Sequence, residues 1–149
     1  MSTMPQTENR EVTILLAEDD LGHARLIEKN LRRANIANNI VRVTDGQAAV
    51  DYLFAEENLK ARGQSMPVLV LLDLNMPILD GYQVLKIMKA NERTKRIPVV
   101  ILTTTDDPRE VTKCYELGCN IYITKPVDYD NFTEAIRKLG LFLSIVTVP

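Results

Sequence analysis

Polar residues that could do chemistry follow the apolar runs of this sequence, at the points where buried strands would end. Glu18 and Asp19 follow the first run, Asp73 the third, Thr103 the fourth and Lys125 the fifth. Carboxylates that share a crevice repel one another unless a cation is bound, and their oxygen atoms suit Mg²⁺. With a cation and a lysine to offset its charge, a carboxylate can attack phosphorus, and a hydroxyl can hold the transferred oxygens. These residue types predict phosphoryl transfer to Asp73 with Mg²⁺.

Each of these residues also has an ordinary structural role as an alternative. A single aspartate after a strand is often a turn residue or a helix cap, and Asp20 is interpreted as such a cap. The pair Glu18 and Asp19 is more specific, because two adjacent acids after a buried strand repel each other unless they bind something. His23 is the only histidine. It could suggest a phosphohistidine, but a surface position on a helix is favoured. The combination of residues at four strand ends therefore carries the prediction.

The elements that must position these residues alternate along the chain. Continuous apolar runs, typical of parallel strands buried on both faces, occur at Val12–Ala17, Ile40–Val43, Val68–Leu72, Val99–Leu102 and Ile121–Ile123. Stretches with helical spacing lie between them, and one helix has the start signal Asp107-Pro108 and the stop signal Gly118. Right-handed crossovers place helices on both faces of an open sheet. The pattern predicts an α/β fold, a doubly wound (βα)5 unit with a five-stranded parallel sheet, whose carboxyl edge collects the polar residues.

Length and composition indicate one domain. The 149 residues are 46% hydrophobic and 26% charged, which is ordinary for a globular protein that buries a core. Residues 1–10 are predicted to form a disordered N-terminal arm, and residues 11–149 a single domain with a C-terminal helix and an apolar tail. The net charge of −2 offers no basic footprint for nucleic acid, and no apolar run is long enough to span a membrane. Cys114 and Cys119 are interpreted as partly buried thiols in a reducing cytoplasm.

The sequence resembles the receiver domain of two-component response regulators. The matching stretches are residues 14–20, residues 71–77 with Asp80-Gly81, residues 98–103 and residues 122–126. Together these motifs extend over most of the chain, from about residue 11 to residue 140. The resemblance implies the flavodoxin-like receiver fold, with the strand order 2-1-3-4-5.

The resemblance also implies roles for the polar residues. Asp73 would be the phosphoacceptor, supplied by a phosphohistidine on a sensor histidine kinase, and Thr103 and Lys125 would hold the phosphoryl group. Mg²⁺ would be bound by oxygen ligands, namely Glu18 through water, Asp19, Asp73 and the backbone carbonyl of Asn75. The chain would then act as a phosphorylation-controlled switch of a partner-binding surface.

Further expectations concern the switch and one departure from the family pattern. Tyr122 matches the aromatic position that turns inward when Thr103 moves towards the phosphoryl group, although a plain sheet aromatic is the alternative. The Lys125–Pro126 bond is expected to be cis, as in the family. Thr104 stands where the family usually has a smaller residue, which would narrow access to the site.

The C-terminus and the long link over residues 55–66 narrow the resemblance. They are similar to those of the small response regulators that partner bacterial, notably cyanobacterial, phytochromes, which have no output domain and typically dimerise. The tail is densely apolar, with Leu141, Phe142, Leu143, Ile145, Val146 and Val148. A two-fold homodimer through the last helix and this tail is expected, and folding of the tail onto its own sheet is the alternative. The partner kinase would then be a bacterial phytochrome, and the signal light.

Two other classes of protein fit the sequence less well. A phosphatase or phosphotransferase of the haloacid-dehalogenase type needs a second acid two residues after its nucleophile, and Asn75 stands there. A degenerate receiver that is never phosphorylated would lack one of the residues Glu18, Asp19, Asp73, Thr103 or Lys125, and all are present. We therefore expect no enzyme activity beyond the chain's own phosphotransfer and dephosphorylation, and no DNA-binding domain.

Overall fold

Strands and helices alternate through residues 13–34, 36–55 and 66–139, which are the residues that the computed structural model describes. The elements in chain order are β1 (Thr13–Ala17), α1 (Leu21–Arg33), β2 (Asn39–Val43), α2 (Gly46–Phe54), β3 (Leu69–Asp73), α3 (Gly81–Lys89), β4 (Val99–Thr103), α4 (Pro108–Glu116), β5 (Ile121–Thr124) and α5 (Tyr129–Leu139). Each predicted apolar run forms a strand, with boundaries that differ by one residue at most. The local pattern of apolar residues therefore locates every strand.

The strands form one parallel sheet in the order β2-β1-β3-β4-β5, which confirms the predicted fold. Ala17 of β1 pairs with Leu72 of β3. Glu18 and Asp73 consequently follow at the same level on neighbouring strands. Parallel pairing thus brings the acids of two distant segments to one edge of the sheet.

Apolar side chains cover both faces of the sheet. On β1, Ile14 and Leu16 join a cluster with α1 and α5, whereas Leu15 and Ala17 join a second cluster with α2, α3 and α4. These four residues are fully buried. Burying a leucine or isoleucine side chain contributes roughly 1.5–3 kcal/mol to folding. Packing on both faces therefore stabilises the central strand β1.

Capping residues determine where the helices begin and end. Asp20 caps α1, as predicted, because its side chain accepts a hydrogen bond of 2.9 Å from the His23 N–H. Asp107 caps α4, and Pro108 is its first residue. Gly118 follows α4 with a φ of +104°, a left-handed conformation that glycine adopts without strain. The predicted start and stop signals of α4 are confirmed.

Some predictions fall outside the described residues. The N-terminal arm over residues 1–10 lies there, as do most of the long link and the apolar tail from Leu141 to Pro149. Within the described ranges, no helix is long and apolar enough to cross a membrane. Cys114 and Cys119 are both free thiols, and both are buried more fully than the partial burial that was expected.

Candidate functional site

An acidic cluster occupies the carboxyl edge of the sheet. Glu18, Asp19 and Asp73 each place a carboxylate oxygen within 4.8 Å of the other two. The Glu18 and Asp73 side chains are 1% and 6% exposed, whereas Asp19 is exposed. Burial raises the pKa of Glu18, the hydrogen bond from Lys125 opposes that rise, and the nearby Asp73 carboxylate adds to it. Three hard oxygen donors at this spacing fit a divalent cation such as Mg²⁺.

Lys125 supplies the positive charge of the site. Its ammonium donates a hydrogen bond of 3.2 Å to Oδ2 of Asp73 and a second one to Oε1 of Glu18. The backbone N–H of Lys125 donates to the Thr103 carbonyl at 2.6 Å. The Lys125–Pro126 bond is cis, as expected. The Lys125 side chain is only 5% exposed, so its positive charge is buried beside the two carboxylates. It therefore compensates part of their negative charge.

Thr103 places a hydroxyl group at the carboxyl edge of the sheet. The residue ends β4 and is fully buried. Among the described residues, none forms a hydrogen bond with its Oγ1 atom. A buried hydroxyl that forms no hydrogen bond costs roughly 1–3 kcal/mol. The hydroxyl therefore fits a ligand with oxygen acceptors. Thr104, the next residue, is exposed.

The loop after β3 contacts the carboxylate oxygen of Asp73 that Lys125 does not contact. The backbone N–H of Asn75 donates a hydrogen bond of 3.2 Å to Oδ1 of Asp73. Gly81 N–H donates to the Leu74 carbonyl at 2.9 Å, which folds the start of α3 against the end of β3. A Cβ atom at Gly81 would lie 2.4 Å from the Asp73 carbonyl oxygen, so only glycine fits this approach. The Asp73 carboxylate is thus oriented by contacts on both of its oxygens.

Tyr122 connects β5 to the loop that follows Thr103. Its hydroxyl donates a hydrogen bond of 2.6 Å to the Thr105 carbonyl, and its N–H donates to the Tyr115 hydroxyl at 3.2 Å. The side chain is half-buried, and burial raises the pKa of Tyr122 to about 12. The phenol therefore remains a neutral donor at physiological pH. Its role as a switch remains a prediction.

Arg42 is a residue of the site that sequence reasoning missed. It lies on β2, and its guanidinium donates to the backbone carbonyl of Glu18 at 3.0 Å and to that of Asp19 at 3.1 Å. These hydrogen bonds link the loop of Glu18 and Asp19 to the neighbouring strand β2. A lone arginine within an apolar strand was the available signal, but it did not indicate which backbone the guanidinium contacts.

The surface position of His23 was predicted from the sequence, but its contact with the site was not. Its side chain is 43% exposed, in agreement with a surface position on α1. However, its Nδ1 atom also lies 3.1 Å from Nζ of Lys125 and 4.0 Å from Oε1 of Glu18. The Asp20 cap places the first turn of α1 over the carboxyl edge of the sheet, and this turn brings the imidazole to the site.

Comparison with known proteins agrees with this geometry. Residues 14–137 match the sequence profile of a family described as the response regulator receiver domain. The match includes all five strands, apart from the first residue of β1, and every predicted site residue. It therefore concerns the whole arrangement of strand ends and not a single motif.

Individual relatives cover nearly the whole chain. A crystal structure of a response regulator receiver domain from Rhodospirillum rubrum is 57% identical, covers 93% of this chain and 97% of its own, and has a TM-score of 0.70. The response regulator Rcp1 of Synechocystis is 35% identical over 98% of this chain and 99% of its own. Its Mn²⁺-bound crystal structure has a TM-score of 0.71 and covers 93% and 99% of the two chains. The phosphorylated cyanobacterial phytochrome response regulator RcpA is 36% identical, with the same coverage and a TM-score of 0.74.

Proposed function

We propose, from the premise that this chain belongs to the family of response regulator receiver domains, that Asp73 accepts a phosphoryl group from a sensor histidine kinase. The observation that carries the proposal is the environment of Asp73. Its buried carboxylate lies between the Lys125 ammonium at 3.2 Å and two further acids. With a cation bound beside Lys125, the charge of this carboxylate would be offset, so that an anionic donor could approach it.

The proposed transfer breaks one bond and forms another. The P–N bond of the donor phosphohistidine breaks, a P–O bond forms to a carboxylate oxygen of Asp73, and the imidazole leaves with the electron pair. The Lys125 ammonium and the Thr103 hydroxyl stabilise the oxygens of the transferred group. Thr103 gains an acceptor for a hydroxyl that has no partner among the described residues.

The acidic cluster is proposed to hold Mg²⁺. The ligands would be Asp19, Asp73 and the Asn75 backbone carbonyl, with Glu18 acting through water. When bound, the cation would supply positive charge that offsets the carboxylates and favours phosphoryl transfer. The three clustered carboxylates support this assignment, as does the existence of a Mn²⁺-bound form of Rcp1.

Phosphorylation is proposed to act as a switch and not as a step of enzymatic turnover. A phosphoryl group on Asp73 that accepts a hydrogen bond from Thr103 would draw the end of β4 inward, and the hydrogen bond between Tyr122 and Thr105 would then change. We propose that this change alters a partner-binding surface near β5 and α5. The chain would catalyse only its own phosphotransfer and dephosphorylation. The receiver domain would extend over residues 11–149 and would act in the cytoplasm.

The kinase and the assembly are proposed from the relatives. RcpA is described as a cyanobacterial phytochrome response regulator, so a bacterial phytochrome is the proposed kinase, with light as the stimulus. The proposed assembly is a homodimer through the last helix and the apolar tail, because such a tail needs a cover. Sedimentation at tens of micromolar should give a dimer, and Leu143→Asp should give a monomer. Leu26→Asp, an exposed position on α1, is the control and should remain dimeric. A monomeric native chain would overturn the assembly.

Phosphorylation of purified protein tests the central proposal. Incubation with acetyl phosphate and Mg²⁺ should add one phosphoryl group that is stable in acid and labile in base. Asp73→Asn should abolish the uptake, whereas Asp51→Asn, at an exposed aspartate of α2, should leave it unchanged. Equal uptake by Asp73→Asn and the native chain would refute the assignment of the acceptor.

A further inference from the structure

We infer that His23 is a positioning residue that aims the ammonium group of Lys125 at the phosphoryl group on Asp73. The inference rests on the proposed function, because it assigns a part in that same transfer. From the sequence alone, His23 was predicted to be a surface residue of a helix. The contact that carries it joins α1 to the end of β5, across 102 residues of the chain.

The hydrogen bonds of Lys125 account for all of its donors. An ammonium group has three N–H donors and no lone pair. Its three partners here are Oε1 of Glu18, Oδ2 of Asp73 at 3.2 Å and Nδ1 of His23 at 3.1 Å. Because the lysine can only donate, Nδ1 must accept, and the ring proton lies on Nε2. The lysine side chain is 5% exposed, so an acceptor lost from the protein is not readily replaced by bulk water.

The three acceptors differ in what happens to them during transfer. Glu18 and Asp73 both belong to the proposed cation site, and Asp73 also receives the phosphoryl group. Their contacts with Lys125 must therefore loosen or exchange as the reaction proceeds. His23 takes no part in either event, so its contact can persist throughout. It restricts the direction of Nζ while the other two partners change.

The neutral charge of the acceptor also matters. A third carboxylate in this position would hold Lys125 strongly and compete with the phosphoryl oxygens for its charge. A neutral imidazole nitrogen fixes the direction of the ammonium and leaves most of its charge available. We therefore expect His23 to affect the rate of transfer and the binding of a phosphoryl mimic, with little effect on cation binding.

The location of His23 makes this role separable from folding. Its backbone N–H is fixed by the Asp20 cap, which any side chain at position 23 preserves. The imidazole is 43% exposed and lies in a cleft with Leu26, Pro126 and the buried Val127. Replacement of the side chain should consequently leave the sheet and the acidic loop in place.

A pair of substitutions tests the inference. His23→Leu keeps an apolar volume but removes the acceptor, whereas His23→Asn can place an amide oxygen where Nδ1 lies. With acetyl phosphate and saturating Mg²⁺, His23→Leu should be phosphorylated about three- to tenfold more slowly, as expected for one lost hydrogen bond. Its affinity for beryllofluoride should fall by a similar factor. His23→Asn should retain most of both activities, and Arg25→Leu, at another exposed position on α1, should match the native chain.

Two control measurements separate positioning from a general effect. The melting temperature and the Mg²⁺ affinity of His23→Leu should stay close to the native values. If His23→Leu were phosphorylated at the native rate, the inference would be wrong while phosphorylation of Asp73 remained intact. If His23→Asn were phosphorylated as slowly as His23→Leu, the role of His23 as a hydrogen-bond acceptor would be refuted. Failure of the native chain to be phosphorylated on Asp73 would instead refute the proposed function, and this inference with it.

Discussion

Nζ of Lys125 lies 3.2 Å from Oδ2 of Asp73, and the two side chains are 5% and 6% exposed. The contact joins the ends of β5 and β3 across 52 residues of the chain. Glu18, at 1% exposure, shares the same ammonium. One positive charge is thus shared by two buried carboxyl groups, and a bound cation would add further compensation.

This sharing leads to a prediction for Lys125→Met. The variant leaves Glu18 and Asp73 buried without their cation, so it should lose roughly 3 kcal/mol of unfolding free energy. Mg²⁺ should restore more stability to the variant than to the native chain, because the bound ion replaces the missing charge. Urea denaturation with and without Mg²⁺ measures both effects. Lys29→Met, at an exposed lysine of α1, is the control, and equal losses in the two variants would contradict the prediction.

Asp19 should contribute directly to cation affinity. A unit charge at about 4 Å is worth about 1 kcal/mol in bulk water and about 4 kcal/mol near a protein surface. Asp19→Asn should therefore weaken Mg²⁺ binding roughly tenfold or more, as measured by titration calorimetry. Asp20→Asn is a matched control, because asparagine caps a helix as well as aspartate does. A similar loss of affinity in both variants would argue against a direct role for Asp19.

Gly81 should be required for the geometry of the acceptor loop. A Cβ atom there would lie 2.4 Å from the Asp73 carbonyl oxygen and 2.7 Å from Cα of Leu74, both of which belong to the backbone. Gly81→Ala should destabilise the chain by roughly 1–3 kcal/mol and slow phosphorylation of Asp73. In Gly22→Ala the nearest atom belongs to a side chain and not to the backbone, namely the exposed Asp20 carboxylate at 3.2 Å, so the stability of this variant should stay within about 1 kcal/mol of the native value. Thermal and urea unfolding distinguish the two variants.

The hydroxyl of Tyr122 should stabilise the loop after β4. Tyr122→Phe removes the hydrogen bond to the Thr105 carbonyl and should lose about 1 kcal/mol of unfolding free energy. The matched variant Tyr129→Phe, at the start of α5, should lose less. A native-like stability of Tyr122→Phe would show that the 2.6 Å contact contributes little.

The two cysteines should be unreactive in the folded protein. Burial raises the pKa of Cys114 to about 11 and that of Cys119 to about 12, from ordinary values of 9.0. At pH 8 both thiols are then protonated as well as covered, and the thiolate is the reactive form. Iodoacetamide should modify them slowly in buffer and rapidly in urea, as followed by mass spectrometry. Fast modification of the folded chain at pH 8 would contradict the raised pKa values.

The sequence by itself determined the elements and the set of residues at their ends. Strand runs such as Val99–Leu102 and the capping residues Asp20 and Asp107 are local signals, since they depend on side chains only a few positions apart. Alternating parallel strands with right-handed crossovers then bring the carboxyl ends together. For this reason Asp73 and Lys125 could be assigned to one site before any distance was known.

Only the tertiary structure decided which side chains touch. His23 contacts Lys125, and Arg42 donates hydrogen bonds to the loop that carries Glu18 and Asp19. No local sequence pattern predicts these contacts, because each depends on how a helix or strand packs beside a distant loop. Burial of Glu18 beside an exposed Asp19 is likewise a product of packing, since the two residues are adjacent and chemically alike. Contacts between distant residues depend on sheet register, twist and side-chain rotamers together, and a periodic pattern along the chain specifies none of these alone.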